Sequence, residues 1–331
     1  MAHNTYDELG KLISKNVGGS DITTFEGLQQ VDYGYNIRGW LKKINDVNSL
    51  NGAGGPTDLF AFKINYDDDV TEIVDGKVKP LYNGNISETY WRTASDNTIR
   101  KYGYQYDHLN RLLGSFYQKP QAPVALTNSY NESMSYDKNG NIVRLDRTGG
   151  LDNQVETLAI DNLTYSYPDN SNQLAKVTDG SNEPQGFKDD TETDLDDVND
   201  DYKYDANGNM TIDQNKGIDG ITYNHLNLPT AIYFDSGNKI VYLYDATGKK
   251  VRKIVEINTV VASDGAAPSI DTTTETTDYQ DGFQYKSNGL QFFTTAEGYV
   301  NISHIKFDST GLHEEGPLQA ETIGNQYSYV Y

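Results

Sequence analysis

Tyr202-Lys203-Tyr204-Asp205-Ala206-Asn207-Gly208-Asn209-Met210-Thr211-Ile212 decides how this chain is read. Tyr202 and Tyr204 lie two apart and share one face of an extended strand. Asp205 then meets a turn, where a short carboxylate can accept hydrogen bonds from backbone amides one or two residues on. Gly208 can supply the positive φ that the turn needs. The chain returns through Asn209-Met210-Thr211-Ile212, again alternating. Asn-Gly between alternating runs is the strongest short-range hairpin signal, so the stretch predicts two antiparallel strands with an aromatic face.

The phrase recurs. Tyr136-Asp137-Lys138-Asn139-Gly140-Asn141 is a second full copy. Relatives of it appear at Tyr6-Asp7-Glu8-Leu9-Gly10, Tyr33-Gly34-Tyr35-Asn36-Ile37-Arg38-Gly39, Tyr82-Asn83-Gly84-Asn85 and Tyr104-Gln105-Tyr106-Asp107. Others stand at Tyr165-Ser166-Tyr167-Pro168-Asp169, Tyr223-Asn224-His225-Leu226-Asn227 and Tyr242-Leu243-Tyr244-Asp245-Ala246-Thr247-Gly248. Self-similarity of this kind marks a repeat architecture. The repeat-defining positions are Tyr106, Asp107, Tyr136, Asp137, Gly140, Tyr204, Asp205, Gly208, Tyr244 and Asp245. Their tyrosines read as core packing and cross-strand stacking, because their spacing tracks the hairpins. The fold class expected is all-β: antiparallel hairpin repeats forming a curved or spiralling sheet.

Composition bounds the function. Tyrosine is abundant, 26 against 10 Phe and 2 Trp, which suits strands buried on one face and wet on the other. Cysteine is absent, which excludes disulfides, thiolate metal sites and a thiol nucleophile. The formal net charge of −21 argues against nucleic acid as a partner. It fits a self-repelling soluble surface or a wall facing a basic cargo. No apolar stretch is long enough to span a membrane, and Met1-Ala2-His3-Asn4-Thr5 lacks the apolar run of a signal peptide.

The repeats favour one array over 1–331: N-terminal repeats with a Gly-rich loop in 1–80, the clearest repeats in 81–255, and divergent strands in 256–331. Gly52-Ala53-Gly54-Gly55-Pro56 is a loop without dinucleotide-binding context. Gln121-Ala122-Pro123 is a break. Val261 to Thr277, rich in Thr, Ser, Ala and Asp, reads as an insertion. The most acidic stretch, Asp189 to Asp201, reads as a long solvated hairpin loop. Within it Asp194, Asp196, Asp197 and Asn199 are a weak calcium candidate, with oxygen ligands but no EF-hand spacing. Asp281-Gly282-Phe283 and Leu290-Gln291-Phe292-Phe293 read as strands around Asn288-Gly289. The alternating Tyr327-Ser328-Tyr329-Val330-Tyr331 implies that the native chain continues.

Enzyme signals are missing. The histidines His3, His108, His225, His304 and His313 are scattered. There is no Gly-x-Ser-x-Gly elbow and no phosphate-binding Gly-Lys-Ser/Thr loop, and no cofactor is expected. Asn85, Asn131, Asn162 and Asn301 match glycosylation acceptor patterns by chance.

At these residues the sequence resembles the Rhs/YD-repeat family, in the version common in Bacteroidetes-type bacteria. Asp32-Tyr33 to Leu41, and Asp281-Gly282-Phe283 with Leu290-Gln291-Phe292-Phe293 and Thr295-Ala296-Glu297-Gly298, carry the most specific likeness. The resemblance implies part of a β-cocoon-like shell around a polypeptide cargo, often a C-terminal toxin, in a secreted or cell-surface bacterial protein. Such families continue with a core-associated segment and a toxin, neither of which this sequence contains. An alternative is a cell-surface module that binds a glycan through exposed Trp40 and Trp91.

Overall fold

The computed structural model describes residues 2–19, 23–24, 27–51, 56–67, 70, 76–150, 152, 157–189, 201–263, 266–287, 289–295 and 298–301. The chain divides into two compact units, Met1–Asp189 and Asp190–Tyr331. Each holds one open, fully antiparallel sheet in which every strand pairs with the strands before and after it in sequence. Neither sheet closes into a barrel.

The first unit carries β1 (Ala2–Tyr6), β2 (Leu12–Val17), β3 (Gln29–Tyr35), β4 (Leu41–Ile44), β5 (Phe60–Asn65) and β6 (Glu88–Thr93). It continues with β7 (Arg100–Tyr106), β8 (Leu112–Gln118), β9 (Glu132–Tyr136), β10 (Ile142–Gly149), β11 (Leu158–Ser166) and β12 (Lys176–Asp179). The second unit carries β13 (Tyr202–Tyr204), β14 (Met210–Asp213), β15 (Ile218–Tyr223), β16 (Pro229–Phe234) and β17 (Lys239–Tyr244). After them come β18 (Lys250–Ser263), β19 (Ala266–Gln280), β20 (Phe283–Lys286), β21 (Gly289–Thr295) and β22 (Gly298–Asn301). A single 3-10 turn, Gln214–Lys216, is the only helical element among the described residues.

The all-β expectation holds, and the first phrase, at Tyr6-Asp7, turns the hairpin β1–β2. Two readings change. Tyr82-Asn83-Gly84-Asn85 does not join two strands; it lies in the long connection between β5 and β6, and Tyr82 is exposed. The described residues from Val261 to Thr277 belong to a long two-stranded ribbon, in which β18 and β19 pair from Arg252↔Asp278 to Ser263↔Ala266 with one register shift between Val261 and Ser263. Its many threonines are β-branched and fit a strand, although they also suit a loop.

Fully buried apolar residues are few, as a single-layer sheet dictates. In the first unit Val47, Leu50 and Ala61 form a small core with Tyr90 packed against it. Beside it lies a row of buried polar groups on adjacent strands. Lys101 on β7 pairs with Glu88 on β6 at 2.5 Å, both fully buried. Asn65 on β5 donates to the Glu88 carboxylate at 2.9 Å, and the Tyr90 hydroxyl does so at 3.1 Å. Burial pushes the Lys101 ammonium below its ordinary range, and Glu88 partly offsets that.

Candidate functional site

Among the described residues, seven turns that open on Asp or Asn repeat one hydrogen-bond pattern, whose backbone half the turn from Phe234 to Asn238 shares. The seven begin at Asp7, Asn36, Asp107, Asp137, Asp205, Asn224 and Asp245. In each, the first residue's backbone N–H donates to the carbonyl four residues on, and its own carbonyl accepts from the N–H three residues on. One side-chain oxygen of that first residue accepts two more amides. Asp137 Oδ1 takes the N–H groups of Asn139 and Asn141, both at 2.8 Å. Asp205 Oδ1 takes those of Asn207 and Asn209, both at 2.9 Å. Asn36 and Asn224 do the same through their amide oxygens, so the acceptor needs no charge.

The fourth residue of every turn has positive φ. Gly140 lies at 95° and Gly208 at 84°. Asn110 and Asn227, at 63° and 57°, replace glycine in two turns, as the one non-glycine residue type that tolerates this region well.

Next to the turn, the tyrosine that precedes the Asp or Asn does a job that periodicity alone does not reveal. Its hydroxyl donates to a backbone carbonyl of the preceding repeat. Tyr35 reaches Leu12, Tyr106 reaches Ile86, Tyr136 reaches Leu112 and Tyr167 reaches Ile142, at 2.7–3.0 Å. Tyr223 reaches Met210 at 2.6 Å and Tyr244 reaches Pro229 at 2.9 Å. Tyr66, at a Tyr-Asp pair that the repeat pattern had not picked out, reaches Leu41 at 3.1 Å. Each accepting carbonyl lies just beyond the last paired residue of its ladder with the following strand, as Leu112 lies before Gly114↔Ser133. The phenol therefore satisfies a carbonyl that the ladder leaves over. It also ties each hairpin to its predecessor.

The repeat-defining residues are thus brought together along one edge of each sheet. Tyr204, half-buried on the outermost strand of its sheet, completes the set. Neighbouring turns also touch. Asn139 and Asn141 donate to Asn172 at 3.2 and 2.9 Å, and Asn209 donates to Asn227 at 2.9 Å. Hydrogen bonds hold the Asp107, Asp137, Asp205 and Asp245 carboxyls below the usual range. For Asp107 the main donor is the Arg111 backbone, and for Asp205 the Asn209 side chain. For Asp245 it is the Thr247 hydroxyl. For Asp137 burial opposes the shift, and the Asn141, Asn139 and Gly140 donors outweigh it.

Stacking is narrower than the tyrosine count suggested. Contiguous rings cluster on β6, β7, β8 and the turn before β9: Trp91 on Tyr102 at 5.6 Å, Tyr102 near Tyr104 and Tyr117, and Tyr117 edge-on to Tyr130 at 5.3 Å. Trp91 is half-buried inside that cluster. Trp40 is half-buried against Tyr66 at 5.3 Å, with Arg38 over its other side. The two indoles are packing residues in this structure. Asp194, Asp196, Asp197 and Asn199 lie outside the described residues. Among those described, no group of three or more His, Asp or Glu residues is arranged to hold a metal, and no helix is long and apolar enough to cross a membrane.

At the strand ends opposite the turns a second recurring device escaped the sequence reading. Asn45 accepts the Asp32 amide, Asn131 the Tyr117 amide, Asp179 the Asn162 amide and Asn238 the Asn258 amide, at 2.7–2.8 Å. These Asn and Asp residues share no flanking phrase, so only their place at strand ends could have flagged them.

No family model matches the chain, and no curated protein matches it. Solved structures do. The crystal structure of TcdB2-TccC3-Cdc42 aligns over 89% of this chain with 14% identity and a TM-score of 0.50. That of TcdB2-TccC3 aligns over 88% with 14% identity and a TM-score of 0.49. A Tc holotoxin pore structure from Photorhabdus luminescens aligns over 88% at 14% identity with a TM-score of 0.39. The chain spans only about 14% of the length of the first two. At this identity the likeness concerns the fold alone: an Rhs-like, antiparallel hairpin array of the kind present in Tc toxin chains.

Proposed function

We propose that this chain is a scaffold segment of a YD-repeat shell of the Bacteroidetes type, which encloses or presents a polypeptide cargo and has no catalytic role of its own. The cargo is a C-terminal toxin or effector used against competing bacteria, and the protein works outside the cell or on its surface. The observation that carries the reading is the tether: seven tyrosine hydroxyls each join one repeat to the one before it. Such a device adds hairpins indefinitely without a second layer, which suits a wall better than a cleft. The Rhs-like fold supports the same reading, since Tc toxin chains share it.

The test uses the product of the complete gene. Limited proteolysis under native conditions is expected to leave any polypeptide encoded beyond Tyr331 intact and associated with the repeats, and to destroy it once the repeats are unfolded in urea. A gene that ends at Tyr331, or a downstream polypeptide cut as fast in the native protein as alone, overturns the proposal.

A further inference from the structure

Arg92 is anomalous among the seven arginines of this acidic chain. Arg100, Arg111, Arg144, Arg147 and Arg252 each pair with an aspartate, and Arg38 lies over the Trp40 ring. Arg92, half-buried on β6, is held by neutral oxygens. Its Nη1 donates to the carbonyls of Val47 at 3.2 Å and Asn48 at 2.8 Å, and its Nε donates to the carbonyl of Asn97 at 3.0 Å. These bonds fix the plane of the guanidinium, and no carboxylate among the described residues pairs with it. A guanidinium carries five N–H donors, so both protons of Nη2 remain for another acceptor.

That group lines a cavity of about 280 Å³ with Asn48, Ser49, Leu50, Asn51, Thr57, Ala94 and Asn97. Among the described residues the rest of the wall is neutral and rich in hydrogen-bonding side chains. Asn51 accepts a long contact from the Thr57 hydroxyl, and its amide nitrogen has no hydrogen bond among the described residues. Of the carboxylates adjacent to the lining in sequence, Asp46 Oδ1 accepts from the Asn48 backbone and side chain, Asp96 pairs with Arg100, and Asp58 is buried with Asp32 and Asp46 nearby.

We propose that this cavity is a carboxylate-binding site, with Arg92 as the charged contact and Asn51 and Asn97 as neutral donors. A clamped, planar fork matches a carboxylate in two parallel hydrogen bonds. One cation in a chain of this charge suits a monoanion better than a phosphate. Among the described residues the lining includes no aromatic ring, which disfavours a sugar, since sugar sites offer a stacking face. The carboxylate is that of a glutamate or aspartate side chain in a polypeptide, or of a small organic acid. The site does not depend on the scaffold reading.

The experiment follows the Arg92 Nε–H and the Asn51 and Asn97 side-chain amides by NMR at constant ionic strength, with sodium acetate, acetamide, phosphate, and a short amidated peptide carrying Glu or Gln. Acetate and the Glu peptide are expected to shift these signals saturably, and acetamide and the Gln peptide are not. A Glu peptide binding at least about tenfold tighter than acetate identifies a polypeptide source. Equal affinity identifies small acids. Arg92→Gln is expected to weaken acetate binding at least about tenfold, and Ala94→Leu to do so by filling the cavity while leaving the Arg92 clamp in place. Circular dichroism checks that both variants stay folded. Shifts that acetamide reproduces, tighter binding of phosphate than of acetate, binding retained in Ala94→Leu, or no shift with any carboxylate would each overturn the assignment.

Discussion

The hairpins from Tyr33 to Tyr244 and the ribbon of β18 and β19 are built from the same antiparallel ladder, yet they are held differently. Inside each sheet those hairpins meet a neighbour on both sides, with only β12 and β13 left at an edge, and a phenol from the next repeat closes a leftover carbonyl. The ribbon has such neighbours only at its base. β17 pairs with β18 as far as Glu256, and β20 pairs with β19 from Thr277. Asn258 is pinned at that boundary by Gly237 and Asn238. Beyond it the two strands pair only with each other, and Val260 and Ile270, opposite one another, are 70% and 68% exposed. A two-stranded ribbon without a packed face is marginal in water. Ladder hydrogen bonds therefore do not by themselves stabilise this architecture; the lateral ties between repeats do.

The largest effect expected from this contrast is at the buried ion pair. Lys101→Met strands the Glu88 carboxylate inside the first sheet and should cost about 3–5 kcal/mol in urea unfolding. Replacing residues 259–271 by Asn-Gly, which joins the paired Asn258 and Thr272 through a two-residue turn, should change stability by no more than about 0.5 kcal/mol. A costly ribbon truncation would break the comparison.

Second in size is Asp58, where the tethered region carries a cost of its own. Burial, with Asp32 and Asp46 nearby, pushes its carboxyl up from 3.8 to about 6. A raised folded-state value means that its favourable contribution is complete below about pH 3.8 and is lost as the pH rises through about 6. Asp58→Asn should therefore gain about 1–2 kcal/mol at pH 7.5 and nothing at pH 3.5, measured by thermal unfolding at both.

Third, Tyr136→Phe keeps the ring and removes the tether to Leu112, and should cost about 1 kcal/mol. Amide exchange should quicken at β9 and at the start of β10. Tyr279→Phe, on the ribbon, should have no measurable effect. Equal losses at both sites would show that the hydroxyl bonds are incidental.

Much of this was legible in the sequence because the turn has strict local requirements. A short acceptor at its first position and a residue tolerant of positive φ at its fourth gave Asp137-x-Asn139-Gly140 and Asp205-x-Asn207-Gly208 their signature. The tethers were half-legible: the tyrosines stood out, but a pattern cannot say where a hydroxyl ends. Glu88 and Lys101 were invisible, since charged residues on alternating strands look like a wet face until the register Tyr90↔Lys101 brings them under the core. Arg92 was hidden for the same reason, because its partners are backbone carbonyls that no side-chain pattern encodes.

The smallest effect separates turns that look alike. Asp107, Asp137, Asp205 and Asp245 have carboxyls held below their ordinary value by turn donors, whereas Asn36 and Asn224 make the same backbone contacts without charge. A depressed folded-state value gives stability that is present above the ordinary carboxylate range and lost as the pH falls through the lower folded value. Acid should therefore loosen the turns at Asp107, Asp137, Asp205 and Asp245 before those at Asn36 and Asn224. Amide exchange at Asn141 and Asn209, whose N–H groups rest on Asp137 and Asp205, should accelerate as the pH drops below about 4. Trp40 and Leu228, whose N–H groups rest on Asn36 and Asn224, should show no such step after correction for intrinsic exchange. Changing Asp137 to Asn should remove the step at Asn141 and leave the one at Asn209. A step that appears equally at all four amides would mean that the turns open with the whole sheet, and the carboxylates would then add nothing that an amide oxygen does not.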